Sequence, residues 1–302
     1  MSNNNLSMGS TSSEKVQLTA IVPISRMAGK LGNFRYWFNS VNQLPMRIVI
    51  VHDFADDETS TEIREIIASS PQTDIRFLEG VFGGPGMARN AGLSEATSEW
   101  VCFWDSDDLP DVEIAMSMIM KADIRDEVLI GDFQIIDAEG VSEAKLVLHR
   151  NEIQNIATNP GLWRMIFRRS SIGQLQFENN LMGEDQVFLA QYNLASRRIL
   201  FLNELVYSYV KGTPGQLTFN QSAIDGLLKS FQMLLRIFEL NAGKNENFTS
   251  ILVLRTLFTG LTRSSSPIKS SMLREFLGGI HRRPRLLLFC FRNLFIVFSR
   301  RA

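Results

Sequence analysis

Three carboxylates stand within four residues at Asp105-Ser106-Asp107-Asp108, directly after the apolar run Trp100–Trp104. Such a charge cluster at the end of a buried strand is self-repulsive unless a cation or several hydrogen-bond donors neutralise it. A divalent cation is a natural partner, because Mg2+ or Mn2+ commonly takes one or two carboxylates and completes its shell with water and phosphate oxygens. The competing reading is a polar turn that caps the helix expected from residue 111, with Asp108 available as the cap. Upstream, Gly83-Gly84-Pro85-Gly86 lets a backbone approach a ligand closely, and Pro85 suits a first helical turn. Arg89 and Asn90 follow, with donors for a phosphate or a base edge. A second acidic pair, Glu184-Asp185, opens a helix expected to run to about Arg198. There it serves either as general-base chemistry or as simple compensation of the helix dipole.

These residues need a scaffold, and the pattern from Val16 to Phe133 supplies one. Short apolar runs at Gln17–Ile24, Arg47–His52, Asp74–Glu79, Trp100–Trp104 and Glu127–Phe133 read as strands. Most are continuously apolar, as in sheets buried on both faces. Helices are expected between them at 30–42, 58–69, 85–96 and 111–122. This alternation predicts an α/β fold with a mainly parallel sheet flanked by helices, which binds ligands at the carboxyl ends of its strands. Pro23 and Ser25, His52 and Asp53, and Asp105 to Asp108 all fall at such ends. Residues 138–209 read as mixed α/β, and helices are expected at 222–240, 249–262 and 271–299.

Composition narrows the class. With 302 residues, 45% hydrophobic and 21% charged, the chain is globular. The Asn/Ser-rich residues 1–15 read as disordered and lack the pattern of a signal peptide. Cys102 and Cys290 lie far apart in apolar runs, which suits packing residues of a reduced, cytoplasmic protein. From Asn247 onward ten Lys or Arg face one acid, Glu275; that +9 leaves −10 for the rest of a chain whose total is −1. The basic residues alternate with long aliphatics beside an acidic body, so no nucleic-acid partner is expected.

The stretch from Gly84 to Asp108 resembles the core signature of family 2 glycosyltransferases, which have the GT-A fold. The shared pattern is Gly86, Ala88-Arg89-Asn90, Gly92, Glu99-Trp100 and Phe103-Trp104-Asp105-Ser106-Asp107-Asp108. Thr19–Pro23, Ile48–Asp53, Trp163 with Phe167–Ser170, Gly183-Glu184-Asp185, Tyr207–Tyr209 and Gly215–Thr218 agree in order. The likeness covers about residues 16–220, taken as the catalytic domain, with 221–302 a helical, basic extension. It implies a metal-dependent inverting transferase that moves a sugar from a nucleotide-sugar donor to a hydroxyl acceptor, in cell-surface polysaccharide or glycolipid synthesis. Carried over by position, Asp107 and Asp105 would hold Mn2+ or Mg2+, with Asp105 also touching ribose. Pro23, Asp53, Arg89, Asn90 and Glu184 would bind the donor, with Asp53 on the base, and Asp185 would be the general base. His52 stands where the family has an acid, and Phe54-Ala55 where it has Gly-Ser, so the nucleotide is left open. A nucleotidyltransferase would need a basic, Gly-rich phosphate loop after the first strand, which Ser25–Lys30 barely offers. A binding protein that kept the fold is the non-enzymatic alternative.

The tail adds one expectation. Leu286–Phe298 is apolar apart from Arg292 and Asn293, too short to span a bilayer, and Arg285, Arg292 and Ser299 recur every seven residues. It reads either as a helix lying in the plane of an anionic membrane, peripheral on its inner face, or as one packed on the domain.

Overall fold

The computed structural model describes residues 17–41, 46–70, 74–137, 142–144, 153–213, 216–241 and 243–298. The expected disorder of 1–15, Gly215 of the carried-over pattern, and Ser299, Arg300 and Arg301 lie outside the described residues.

The first half alternates strand and helix: β1 (Leu18–Ser25), α1 (Leu31–Val41), β2 (Arg47–Asp53), α2 (Asp57–Ala68), β3 (Asp74–Gly80), α3 (Pro85–Glu95) and β4 (Trp100–Phe103). Then come β5 (Leu109–Pro110), α4 (Val112–Met120), β6 (Val128–Ile136), β7 (Ser142–Ala144), α5 (Ile153–Thr158), β8 (Met165–Arg168), α6 (Arg169–Ile172), α7 (Glu184–Gln191) and β9 (Ile199–Val210). The chain closes with α8 (Gln221–Asp225), α9 (Leu227–Leu240), α10 (Lys244–Arg263), α11 (Ser266–Arg282) and α12 (Arg285–Phe298).

The strands make one sheet in the order β3-β2-β1-β4-β8-β6-β9-β5, with β7 on β6. Its first four strands are parallel. The second half is mixed, because β8 enters antiparallel between β4 and β6 and β5 runs antiparallel to β9. Successive strand residues point to opposite faces. Ala20, Val22, Ile48, Ile50 and Cys102 therefore pack with α1, α2 and α4, while Ile21, Val101 and Phe103 face the other side. On that side α7, α9, α10 and α12 join β8 in one buried cluster.

Local chemistry sets several boundaries. Asp56 caps α2 by accepting the Thr59 N–H at 2.9 Å, and Asp57 and Glu58 favour its first turn. The helix expected to reach Arg198 stops at Gln191: Asn193 adopts a left-handed φ of 57°, and Ile199 begins a 12-residue strand. The helix expected over 271–299 is two helices. Pro284 supplies no N–H and forces Arg283 out of helical geometry, to φ −139° and ψ 85°.

Candidate functional site

The parallel register places Ser25, Asp53 and Gly80 side by side at the carboxyl edge of the sheet. Pro23, half-buried in β1, lies opposite Val51, and the Trp104 N–H bonds the Ile21 carbonyl, so Asp105 emerges beside Pro23. Here Asp53 does an unforeseen job. Its buried carboxylate accepts the backbone N–H groups of Phe82 (2.6 Å), Gly83 (3.1 Å) and Gly84 (2.7 Å). Gly84 N-caps α3 at φ 130° and has no side chain to cap with, so β2 supplies the acceptor across space. Gly86, in the next turn, leaves no room for a side chain: a Cβ there would lie 2.7 Å from the Glu178 carbonyl and 3.3 Å from Glu184 Cγ.

That close approach sets Arg89 at the centre. Its buried guanidinium donates from Nη1 to Glu184 (2.7 Å) and from Nη2 to Asp105 (3.1 Å). Burial opposes the Arg89 charge, yet Asp105 and Glu184 outweigh that and hold its pKa above the usual value. Asn90 turns elsewhere: its amide donates to the Phe177 carbonyl (2.9 Å) and its oxygen accepts the Phe177 N–H (2.7 Å). Both ends of Asn90 therefore pin the segment leading to Glu184 onto α3.

The acidic run divides. Asp108 is buried; one oxygen accepts the Tyr207 hydroxyl (2.8 Å) and the other the Val210 N–H (2.7 Å). The same hydroxyl accepts the Asp105 N–H at 3.2 Å. The reading of Asp108 as a helix cap is corrected: Asp111, immediately before α4, accepts the Ile114 N–H at 2.9 Å, and Asp108 ties the loop to β9. Trp163 stacks on Tyr207, with ring centroids 4.5 Å apart. Asp107 is the carboxylate without strong compensation. Burial and the charge of Asp105 push its pKa up to about 6, against weaker opposing help from Gln216 and Lys30.

Asp105 and Asp107 thus form a two-carboxylate set, and among the described residues no group of three or more His, Cys, Asp or Glu converges as a metal site. Two is the number Mg2+ or Mn2+ uses when phosphate and water complete the shell. Burial first, and then the charge of Asp105, disfavour ionised Asp107, and a cation would offset both, so the donors present suit such an ion.

Across the site, left-handed Gly183 (φ 80°) starts α7 and presents Glu184 and Asp185. Burial raises Glu184 to about 7 despite its pairing with Arg89. Burial also raises Asp185, opposed by Arg255 and Arg89. Arg255 reaches this point from α10, whose Thr256 hydroxyl donates to Gln186 Oε1 at 3.0 Å. A cation from the helical extension was not foreseen, since nothing in its spacing marks which face meets α7.

Two residues noted in the sequence only as part of the Ser25–Lys30 loop and as a departure from the family pattern meet here. Arg26 (φ 48°) and Phe54 (φ 55°) are left-handed residues at the ends of β1 and β2, and the Arg26 guanidinium lies 4.5 Å above the partly exposed Phe54 ring. Strain in non-glycine residues concentrates at functional sites. His52 instead lies fully buried, bonded to Ser60 at 3.1 Å, with its pKa lowered by burial.

The model of the family described as "Glycosyl transferase family 2" matches residues 33–185. Glycosyltransferase GlyA of Streptococcus pneumoniae is 22% identical over 213 residues, 64% of this chain and 30% of the relative. The succinoglycan biosynthesis protein ExoO of Rhizobium meliloti is 28% identical over 165 residues, 48% of this chain and 46% of the relative. The chain thus spans less than half the length of either. Among solved structures, S. aureus TarS 1–349 in complex with UDP-GlcNAc superposes with a TM-score of 0.68 at 19% identity, covering 90% of this chain and 83% of that one. The mannosyltransferase PcManGT of Pyrobaculum calidifontis, in complex with GDP-Man and Mn2+, gives 0.55 at 15% identity, covering 93% and 88%. At these identities the likeness speaks for the fold alone, and the fold shared is GT-A.

Proposed function

Because the chain belongs to glycosyl transferase family 2, we propose that it moves a sugar from a nucleoside diphosphate donor to a hydroxyl acceptor with inversion. The acceptor class we assign is a growing polysaccharide or lipid-linked intermediate of the cell surface, met at the inner face of the membrane. The observation that carries the reading is Arg89. It draws Asp105, from the end of β4, and Glu184, from the start of α7, to one point, and their chain neighbours Asp107 and Asp185 are carboxylates of raised pKa.

The division of labour follows from this geometry. Phe54, half-exposed at the end of β2, offers a stacking surface to the nucleobase, and the Gly83-Gly84 loop brings backbone close to the donor. Mn2+ or Mg2+ on Asp105 and Asp107 would neutralise charge developing on the diphosphate leaving group. Asp185 accepts the proton of the acceptor hydroxyl as that oxygen bonds to the anomeric carbon and the bond from that carbon to the diphosphate breaks. Attack opposite the leaving group inverts the centre in one displacement. A raised pKa makes Asp185 a stronger base than an ordinary carboxylate, and Arg89 fixes Glu184 beside it.

The test is a pair of measurements on Asp185→Asn. Transfer should be lost, while thermal stabilisation by nucleoside diphosphates with Mn2+ should match the unsubstituted chain. Undiminished turnover would remove Asp185 as the base, and no nucleotide-dependent stabilisation of either protein would remove the donor class.

A further inference from the structure

Helix α12 is apolar on two sides, and only one of them is covered. Leu286, Cys290, Asn293 and Val297 are buried, a helical spacing that docks one side of α12 on the domain. The Asn293 amide fixes the rotation of the helix, donating to Asn247 Oδ1 (2.8 Å) and Ser250 Oγ (3.0 Å) of α10. At about 100° per residue, Leu288, Phe291 and Phe295 then share an arc turned away from that contact. They are 70%, 68% and 80% exposed, with Leu287 at its edge. Arg285 and Arg292 border the same arc, Arg285 half-exposed and ion-paired with Glu246 (2.7 Å), while Arg282 and Arg283, which precede it, are held on Glu239.

Two phenylalanines and a leucine held open to water on one helix face mark an interaction surface. Its size and charge select the occupant. A 14-residue helix is about 21 Å long, and no helix among the described residues is long and apolar enough to cross a membrane. A second copy would meet this patch with the same patch about a two-fold axis, setting arginine rim against arginine rim. Helix α12 itself holds two arginines and no acid, so this face favours a surface of fixed negative charge.

We propose that Leu288, Phe291 and Phe295, rimmed by Arg285 and Arg292, dock α12 in the plane of an anionic lipid bilayer. The aromatic rings enter the headgroup boundary while the arginines stay at phosphate level. The surface is separate from the acidic site, and the inference stands whatever sugar or acceptor that site takes.

The test is sedimentation of the full chain with phosphatidylcholine vesicles with and without phosphatidylglycerol. The chain should pellet with the anionic vesicles alone and be released by high salt. Arg292→Gln should weaken partitioning about fivefold, the equivalent of about 1 kcal/mol for one basic residue near such a surface. Joint substitution of Leu288, Phe291 and Phe295 by Ser should weaken it by at least about tenfold. These side chains point to solvent, so circular dichroism should be unchanged; Phe291→Trp, whose emission should shift to the blue on anionic vesicles, supplies a variant that keeps the apolar face. Failure to pellet with anionic vesicles, or equal binding by the triple variant, overturns the proposal. So does a light-scattering dimer that the triple variant converts to monomer, which would give the face to a second copy.

Discussion

Replacing Asp53 by Asn separates an anchor from a base reader. The carboxylate holds three N–H groups, and charge-assisted bonds of this kind contribute about 1.5–3 kcal/mol each. Asparagine keeps one oxygen for Phe82 and Gly83 but turns an NH2 toward the buried Gly84 N–H, which sits 2.7 Å from the carboxylate. Donor then faces donor at the start of α3. Losing that charge-assisted bond and stranding the Gly84 amide, taken as one penalty, costs about 2–3 kcal/mol. At roughly 2–4 °C per kcal/mol for a domain of this size, the Tm should fall by about 5–10 °C. Asp53→Ala, which removes every acceptor, should fall further. Because α3 carries Arg89, KM should rise alike for uridine and guanosine diphosphate sugars. The reasoning is refuted if Asp53→Asn melts within about 1 °C of the parent chain and raises KM for one nucleobase only, for then Asp53 reads the base.

Two further outcomes follow from the charges at the site. Arg89→Met strands Glu184 in a buried position, and breaking such a pair costs about 3–5 kcal/mol; urea unfolding should report a loss of that size, and Glu184→Gln in the same chain should recover part of it. Glu184 rises from 4.5 to about 7 and Asp107 from 3.8 to about 6. For acids raised in the folded state, folding takes up protons between the two values, so stability is present at low pH and lost as pH rises through them. Melting temperatures of the ligand-free chain should therefore show a component that falls from about pH 4.5 to 7, and Asp107→Asn and Glu184→Gln should each flatten their part of it.

Legibility followed sequence distance. The strand ends could be read because β1, β2 and β4 are largely apolar runs, buried on both faces, whose closing polar residues fall near the edge, although His52 turns inward onto Ser60. What those edge residues bond to could not. The partners of Asp53 lie 29 to 31 residues away, on a loop that exists only because Gly83 and Gly84 take positive φ. Asp108 finds Tyr207 and Val210 about a hundred residues on, across an antiparallel neighbour no periodicity announces. Asn90 had the chemistry of a ligand contact, and tertiary packing spent it on the Phe177 backbone. The expected helix over 271–299 ran through Pro284, although an interior proline kinks or breaks a helix and marked the junction of α11 and α12.

The charge balance also bears on how a diphosphate could enter. Asp105, Asp107, Glu184 and Asp185 converge on one region, with Arg89 bonded to two of them and Arg255 acting on Asp185 from α10. The pKa values of Asp107, Glu184 and Asp185 are raised, so the cations present do not fully offset the burial of these acids. A diphosphate brings further negative charge and would be repelled by such a surface. A divalent cation held by Asp105 and Asp107 would reverse that sign and let a diphosphate approach, which is why the proposed reaction calls for one. The same balance explains why Arg89 faces Asp105 and Glu184 rather than the open site. Asp105 stays ordered and Glu184 is held beside Asp185, so the residual negative charge is concentrated where metal and acceptor proton would be taken.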